Sequence, residues 1–185
     1  LSDSAKAKIL KQYGLDQPLH IQYFKYMWGV LHFDFGIPYQ SPGETVLELL
    51  GRAWIPSLVL GGLGVLIGAP IGILLGMVAA LKRNSLIDYF ASAISTLGLT
   101  IPVFVISMLL ILLFSVWLNW LPASGWGEPK KWILPIIAYS AIPMATYARY
   151  TRSSMLDTLN KPFVMVLRAK GLSENRIILR HVLRN

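Results

Sequence analysis

Three stretches of this chain contain no Asp, Glu, Lys or Arg: residues 53–81, 89–127 and 132–148, which are 29, 39 and 17 residues long. A helix that crosses the hydrocarbon core of a bilayer needs roughly 20 apolar residues. The first two stretches exceed that length. The third approaches it, and residues 147–151 extend it. The competing reading is a set of buried core helices in a soluble protein, and the lengths argue against it. So does the charge: 14% of the residues are charged, where a soluble domain carries about 25%. The expected fold class is all-α, a polytopic membrane protein.

Orientation follows from the lysines and arginines that flank the spans. Residues 149–185 carry eight basic and two acidic side chains, a net of +6, whereas residues 1–52 carry five of each and are neutral. The positive tail is expected on the cytoplasmic side. The organisation that follows is an extracytoplasmic amphipathic or capping segment over 1–52 and a transmembrane helix over 53–81. A cytoplasmic loop over 82–88 and a second transmembrane helix over 89–118 come next. An extracytoplasmic loop over 119–131, a third transmembrane helix over 132–151 and a cytoplasmic loop over 152–185 complete it. The six tryptophans, Trp28, Trp54, Trp117, Trp120, Trp126 and Trp132, all fall in or beside the regions assigned to the outer face, where indole rings favour the interface. An outer head needs a segment to carry it across, so a further span is expected before Leu1.

Within the first span Gly64, Gly68, Gly72, Gly76 and Ala80 recur every fourth residue. Small residues at this interval let a second backbone approach closely, so the row is expected to be a helix-packing seam, either static or moving. Pro70, Pro102 and Pro143 each remove a backbone donor and free the carbonyl four residues earlier, which is Leu66, Gly98 and Tyr139 respectively. Helix breaks are expected at Pro70, at Gly98 and Pro102, and at Pro143. Residues 20–36, "HIQYFKYMWGVLHFDFG", are aromatic but too polar to span. They are expected to form an interfacial helix or a helix packed on the spans, followed by a Pro/Gly/Ser-rich loop.

No ionisable residue lies within the uncharged cores, so the chain shows no proton relay or voltage sensor. His20, His32 and His181 are isolated, no metal-ligand spacing or cofactor motif appears, and no nucleophile–base set or phosphate loop is present. No cofactor or metal is expected. If the chain drives transport, its energy is expected from another subunit.

The chain closes on a basic helix–turn–helix. A short helix begins near Pro162. Gly171 fits the left-handed position just past its end, Leu172 follows as the capping hydrophobe, and Ser173 is expected to cap a second amphipathic helix. One reading is a DNA-binding helix–turn–helix on a membrane-tethered regulator. The other is a docking element for a cytoplasmic partner, favoured because residue 151 is barely clear of the membrane and no other DNA-binding core precedes it. Anionic lipid accounts for the charge but not for the turn.

Residues 147–185, with "RAKGLS" followed by Arg180–His181 and Arg184–Asn185, resemble the cytoplasmic EAA loop of bacterial ABC-importer permeases. "GLDQPLHIQYFKY", "FDFGIPY" and "LNWLPASG" are similar to the first permease subunit of the peptide, dipeptide and nickel branch. Gly171 stands at the motif's glycine, and Met165, Val166 and Leu167 stand where the general motif has Glu-Ala-Ala. The resemblance implies a type I permease bundle in the inner membrane of a prokaryote, multi-pass and non-catalytic. It implies half of a pore completed by a second permease subunit. Two cytoplasmic ATP-binding subunits hydrolyse ATP, and an extracytoplasmic substrate-binding protein delivers peptides; membrane lipid surrounds the bundle and no nucleic acid is bound. A same-branch importer of nickel or another small solute is the alternative. The coupling helix maps to Met165, Val166, Leu167, Arg168, Ala169, Lys170, Gly171, Leu172 and Ser173. The family pattern runs past Asn185, so further spans are expected there.

Overall fold

The computed structural model describes residues 10, 11, 13–38 and 43–184, and among them every regular element is helical. The chain divides into two units, Leu1–Ser57 and Leu58–Asn185.

In the first unit, α1 spans Leu19–Leu31. Pro18 precedes it, where a missing N–H costs nothing. The helix closes on a tight turn in which the Asp34 N–H donates to the Gly29 carbonyl at 2.8 Å and Phe33 takes a φ of 60°. A Cβ on Gly29 would lie 2.7 Å from the Asp34 carbonyl oxygen, so this turn requires glycine. None of the residues of α1 is buried in this chain, and Leu19, Phe24, Trp28 and Leu31 are open. A reciprocal cap starts the next helix: the Thr45 N–H donates to Glu48 Oε2 at 2.7 Å, and the Glu48 N–H donates to Thr45 Oγ1 at 3.2 Å, the capping-box arrangement.

That helix, α2, runs over Val46–Leu81, 36 residues, or about 54 Å at the α-helical rise. It begins seven residues before the expected span and continues unbroken through Pro56 and Pro70. Pro70 therefore does not interrupt it.

In the second unit, α3 spans Leu86–Thr100 and α4 spans Val103–Leu110, continued by a π-helical segment over Ile111–Trp117. Ile101 between them is extended, at φ −78° and ψ 124°, as a residue before proline prefers. The two helices meet at 106°. Residues expected as one span over 89–118 are thus two helices joined at a sharp bend. The break falls at Ile101–Pro102. Gly98 remains inside α3, which runs two residues further.

A 3₁₀ turn over Pro129–Trp132 leads into α5, Ile133–Leu159, which contains Pro143 without ending there. The helix continues eight residues beyond the expected end at 151. Then come α6, Pro162–Ala169, and α7, Glu174–Ile177, extended by a π-helical turn over Ile178–Val182. Among the described residues one helix, α2, is long and apolar enough to cross a membrane, and the α3–α4 pair joins it if the bent pair counts as one span.

Two kinds of packing hold the second unit together. Along the middle of α5, small residues bring helix backbones into contact. At its C-terminal end, Ala80, Met155, Val164, Ile177, Ile178 and Val182 form a buried cluster. Val164 and Ile177 are wholly buried there, each contributing about 1.5–3 kcal/mol by removal from water.

Candidate functional site

The glycine row is an interface. Buried Gly64, Gly68, Gly72 and Gly76 lie along α2 facing α5. A Cβ on Gly64 would meet Tyr139, one on Gly68 would collide with the Ser140 carbonyl, one on Gly72 with the Met144 carbonyl, and one on Gly76 with the Ala148 carbonyl. From Gly68 to Gly76 the partner carbonyl advances by four residues as the glycine does, so α2 and α5 run parallel. Backbone this close allows Cα–H to carbonyl contacts that a side chain would forbid. Ala80, the last member of the row, belongs instead to the tail cluster.

On an adjacent face α5 meets α3. A Cβ on Gly98 would lie 2.9 Å from the Ala145 Cβ, which gives Gly98 a packing role. Further along, Asp88 and Arg152 join the two helices. Arg152 Nε donates to Asp88 Oδ1 at 2.6 Å and its Nη2 donates to Oδ2 at 2.8 Å. The Asn84 N–H adds a bond of 2.9 Å to Oδ2, and the Ser92 hydroxyl donates to Oδ1 at 3.4 Å. The Asp88 side chain is 3% exposed and that of Arg152 is 32% exposed. Since Asp88 pairs with Arg152 while Gly98 meets Ala145, α3 runs antiparallel to α5. Beside the pair lies a cleft of about 400 Å³ lined by Gly76, Ser92, Ser95, Thr96, Arg149 and Arg152.

Sequence reasoning missed this pair. Asp88 entered only as the border of a span, and Arg152 only as part of a positive tail. A local signal existed for one half: Ser85 and Asp88 have N-cap and N3 spacing, and the Asp88 N–H donates to Ser85 Oγ at 3.4 Å. Nothing local points to a partner 64 residues away.

The tail builds a helix with two distinct sides. Val164 is buried, and Phe163 and Leu167 pack on the same cluster. Met165 and Val166, the next residues round, are 73% and 52% exposed. The helix ends in a Schellman turn. The Gly171 N–H donates to the Arg168 carbonyl at 2.9 Å, and the Leu172 N–H donates to the Leu167 carbonyl at 3.2 Å, the pairing that defines this cap. Gly171 takes a φ of 77°, and Leu172 packs back on the cluster. Arg168 straddles the turn, donating from Nε to Glu174 Oε1 at 2.6 Å and from Nη2 to Oε2 at 3.2 Å. That hydrogen bonding holds the Glu174 carboxyl below its ordinary range, although an exposed pair adds little stability. Ser173 stands at the N-cap of α7, but its side chain makes no capping bond. It is exposed, as are Ala169 and Lys170.

Residues 72–185 match the family model described as the binding-protein-dependent transport system inner membrane component. The chain is 39% identical over 184 residues to the dipeptide transport system permease protein DppB of Bacillus subtilis, covering all of this chain and 60% of that protein. It is 39% identical over 180 residues to the oligopeptide transport system permease protein OppB of Salmonella typhimurium, covering 96% of this chain and 59% of the relative. With OppB of Escherichia coli K12 it shares 38% identity over 186 residues, all of this chain and 61% of the relative. It thus spans about three fifths of the length of these relatives. The matched region contains the second half of the glycine row, the ion pair and the whole tail, and the chain belongs to the family of binding-protein-dependent transport system inner membrane components.

Proposed function

We propose that the chain is the pore-forming part of a permease subunit in an ATP-driven importer, taking up dipeptides or oligopeptides delivered by an extracytoplasmic binding protein. Its bundle forms half of a translocation pore with a second permease subunit, crosses the inner membrane several times, and carries no catalytic step of its own. ATP is hydrolysed by two subunits on the cytoplasmic side. The names of the relatives, dipeptide and oligopeptide transport system permeases, support the peptide reading.

The observation that carries the coupling role is α6. One side of this two-turn helix is locked into the protein by Val164, while Met165 and Val166 stand exposed on another. Exposed apolar side chains on a rigidly held helix suit a partner that covers them. Met165 to Ser173 are assigned as the segment that meets an ATP-binding subunit, through its exposed residues, while Leu167 and Leu172 hold it to the cluster.

The Gly171 turn tests this. A Cβ there meets nothing within 4 Å, so a substitution acts through backbone conformation alone. Gly171→Val strains the left-handed φ, at about 1–2 kcal/mol, whereas Gly171→Asn tolerates it. In proteoliposomes holding the complete importer, Gly171→Val is expected to assemble yet lose both uptake and the hydrolysis stimulated by the binding protein, while Gly171→Asn keeps them. Full ATP-driven uptake by Gly171→Val would remove the coupling role from this loop.

A further inference from the structure

Arg152 lies at a junction. One turn further along α5, Met155 belongs to the cluster that grips Val164 of α6 and Ile177 of α7. On the other side, the Arg152 guanidinium holds Asp88 in the first turn of α3. A single stretch of α5 therefore anchors both the tail and α3.

An ion pair with one partner this buried is a poor way to gain stability, because desolvation offsets the attraction and apolar side chains of similar size often do as well or better. Nor does α3 need it for cohesion with α5, since Gly98 already packs closely on Ala141 and Ala145. What a two-pronged guanidinium–carboxylate contact supplies is a fixed angle and register. The Asn84 N–H in the preceding turn and the Ser92 hydroxyl on the same helix also hold the carboxylate, which opposes its swinging to follow a displaced arginine.

We infer that Asp88 and Arg152 are positioning residues that tie α3 to the coupling loop, so that displacement of α6 by an ATP-binding subunit moves α3 together with α5. This rests on the importer reading. With the tie cut, the loop still docks and still permits ATP hydrolysis, but α3 and the bent α4 beyond it no longer follow. The signature is hydrolysis without transport.

The test uses the full-length permease reconstituted with its partner subunits and binding protein, measuring uptake and ATP hydrolysis in the same vesicles. Asp88→Asn keeps the shape and removes the charge. It is expected to leave stimulated hydrolysis within about twofold of the wild type and to lower uptake roughly tenfold, inside the usual span of coupling effects. Arg152→Lys keeps the charge without the fork and is expected to fall between the two. The double variant Asp88→Leu with Arg152→Met replaces the pair by apolar packing and guards against misfolding of Asp88→Asn. It is expected to assemble normally and remain uncoupled. Wild-type uptake in the double variant would make the pair mere packing and overturn the inference. So would a proportional fall of uptake and hydrolysis in an assembled variant, or no change in either. Absence of binding-protein-dependent peptide uptake by the wild-type complex would instead overturn the importer reading itself.

Discussion

A Cβ built on Gly68 meets the Ser140 carbonyl oxygen, and lies 2.9 Å from Pro143 Cγ and 3.1 Å from the Met144 nitrogen. On Gly72 the neighbours are all backbone atoms of Met144, its carbonyl carbon and Cα both at 3.0 Å. Backbone atoms inside a helix cannot rotate out of the way, so relief comes only by separating α2 from α5. Overpacking of this kind costs about 1–3 kcal/mol per site, and a leucine adds three further carbons beyond the Cβ. Gly68→Leu and Gly72→Leu are therefore expected to lower the melting temperature of the purified permease complex and to reduce its yield. Gly61→Ala, where a Cβ meets nothing within 4 Å, is the control. Unchanged melting in both leucine variants would mean that α2 and α5 do not pack through this row. The same residues show what the chain discloses by itself. A repeat of small residues every four positions marks a seam, because only close approach gives that interval a use. The identity of the opposing residues is set by a register that no local pattern encodes.

At the scale of single elements, α6 offers a separation of folding from docking along one turn of helix. Val164 is wholly buried, while Met165 beside it is 73% exposed. A carboxylate at position 164 would be buried without a partner, so Val164→Asp is expected to loosen the tail and make it sensitive to proteolysis. Met165→Glu leaves the cluster untouched. It is expected to fold with normal resistance to protease but to lose affinity for the ATP-binding subunits by roughly thirtyfold, as for loss of an interface hot spot of about 2 kcal/mol. Normal association and uptake in Met165→Glu would show that this side of α6 does not face the ATPases. The elements also mark where sequence reading stops. Gly171 and Leu172 were legible because the left-handed cap has its own chemistry. Pro102 was legible as a break, but the 106° bend was not: the residue before a proline is pushed to extended geometry, and the surrounding packing decides where the next helix goes. Pro70 was misleading, since α2 runs through it while packed on α5, and a missing hydrogen bond is a weak signal against such packing.

At the scale of the whole molecule, helix direction constrains topology. The glycine row makes α2 and α5 parallel: Gly64 pairs with Tyr139, and Gly76 with Ala148 and Thr151. The ion pair and Gly98 make α3 antiparallel to both. A chain that crosses the membrane along α2 and again along α5 in the same direction must come back in between, through the residues of α3 and α4. On the proposed topology the turn over 82–85 and the segment over 118–132 are therefore expected on opposite faces. Charge gives the expected assignment of each face, because the tail after residue 148 has a net of +6 and basic flanks favour the cytoplasm. This chain contains no cysteine of its own, so in a permease whose remaining residues are also free of cysteine, single cysteines introduced at Arg83 and at Lys130 report independently. In intact cells a membrane-impermeant maleimide is expected to label the full-length permease at Lys130→Cys and to reach Arg83→Cys only after permeabilisation. A reversed pattern would invert the molecule and place α6 outside, away from any ATP-binding subunit. Labelling of both sites in intact cells would mean that the bent α3–α4 pair does not return the chain across the membrane.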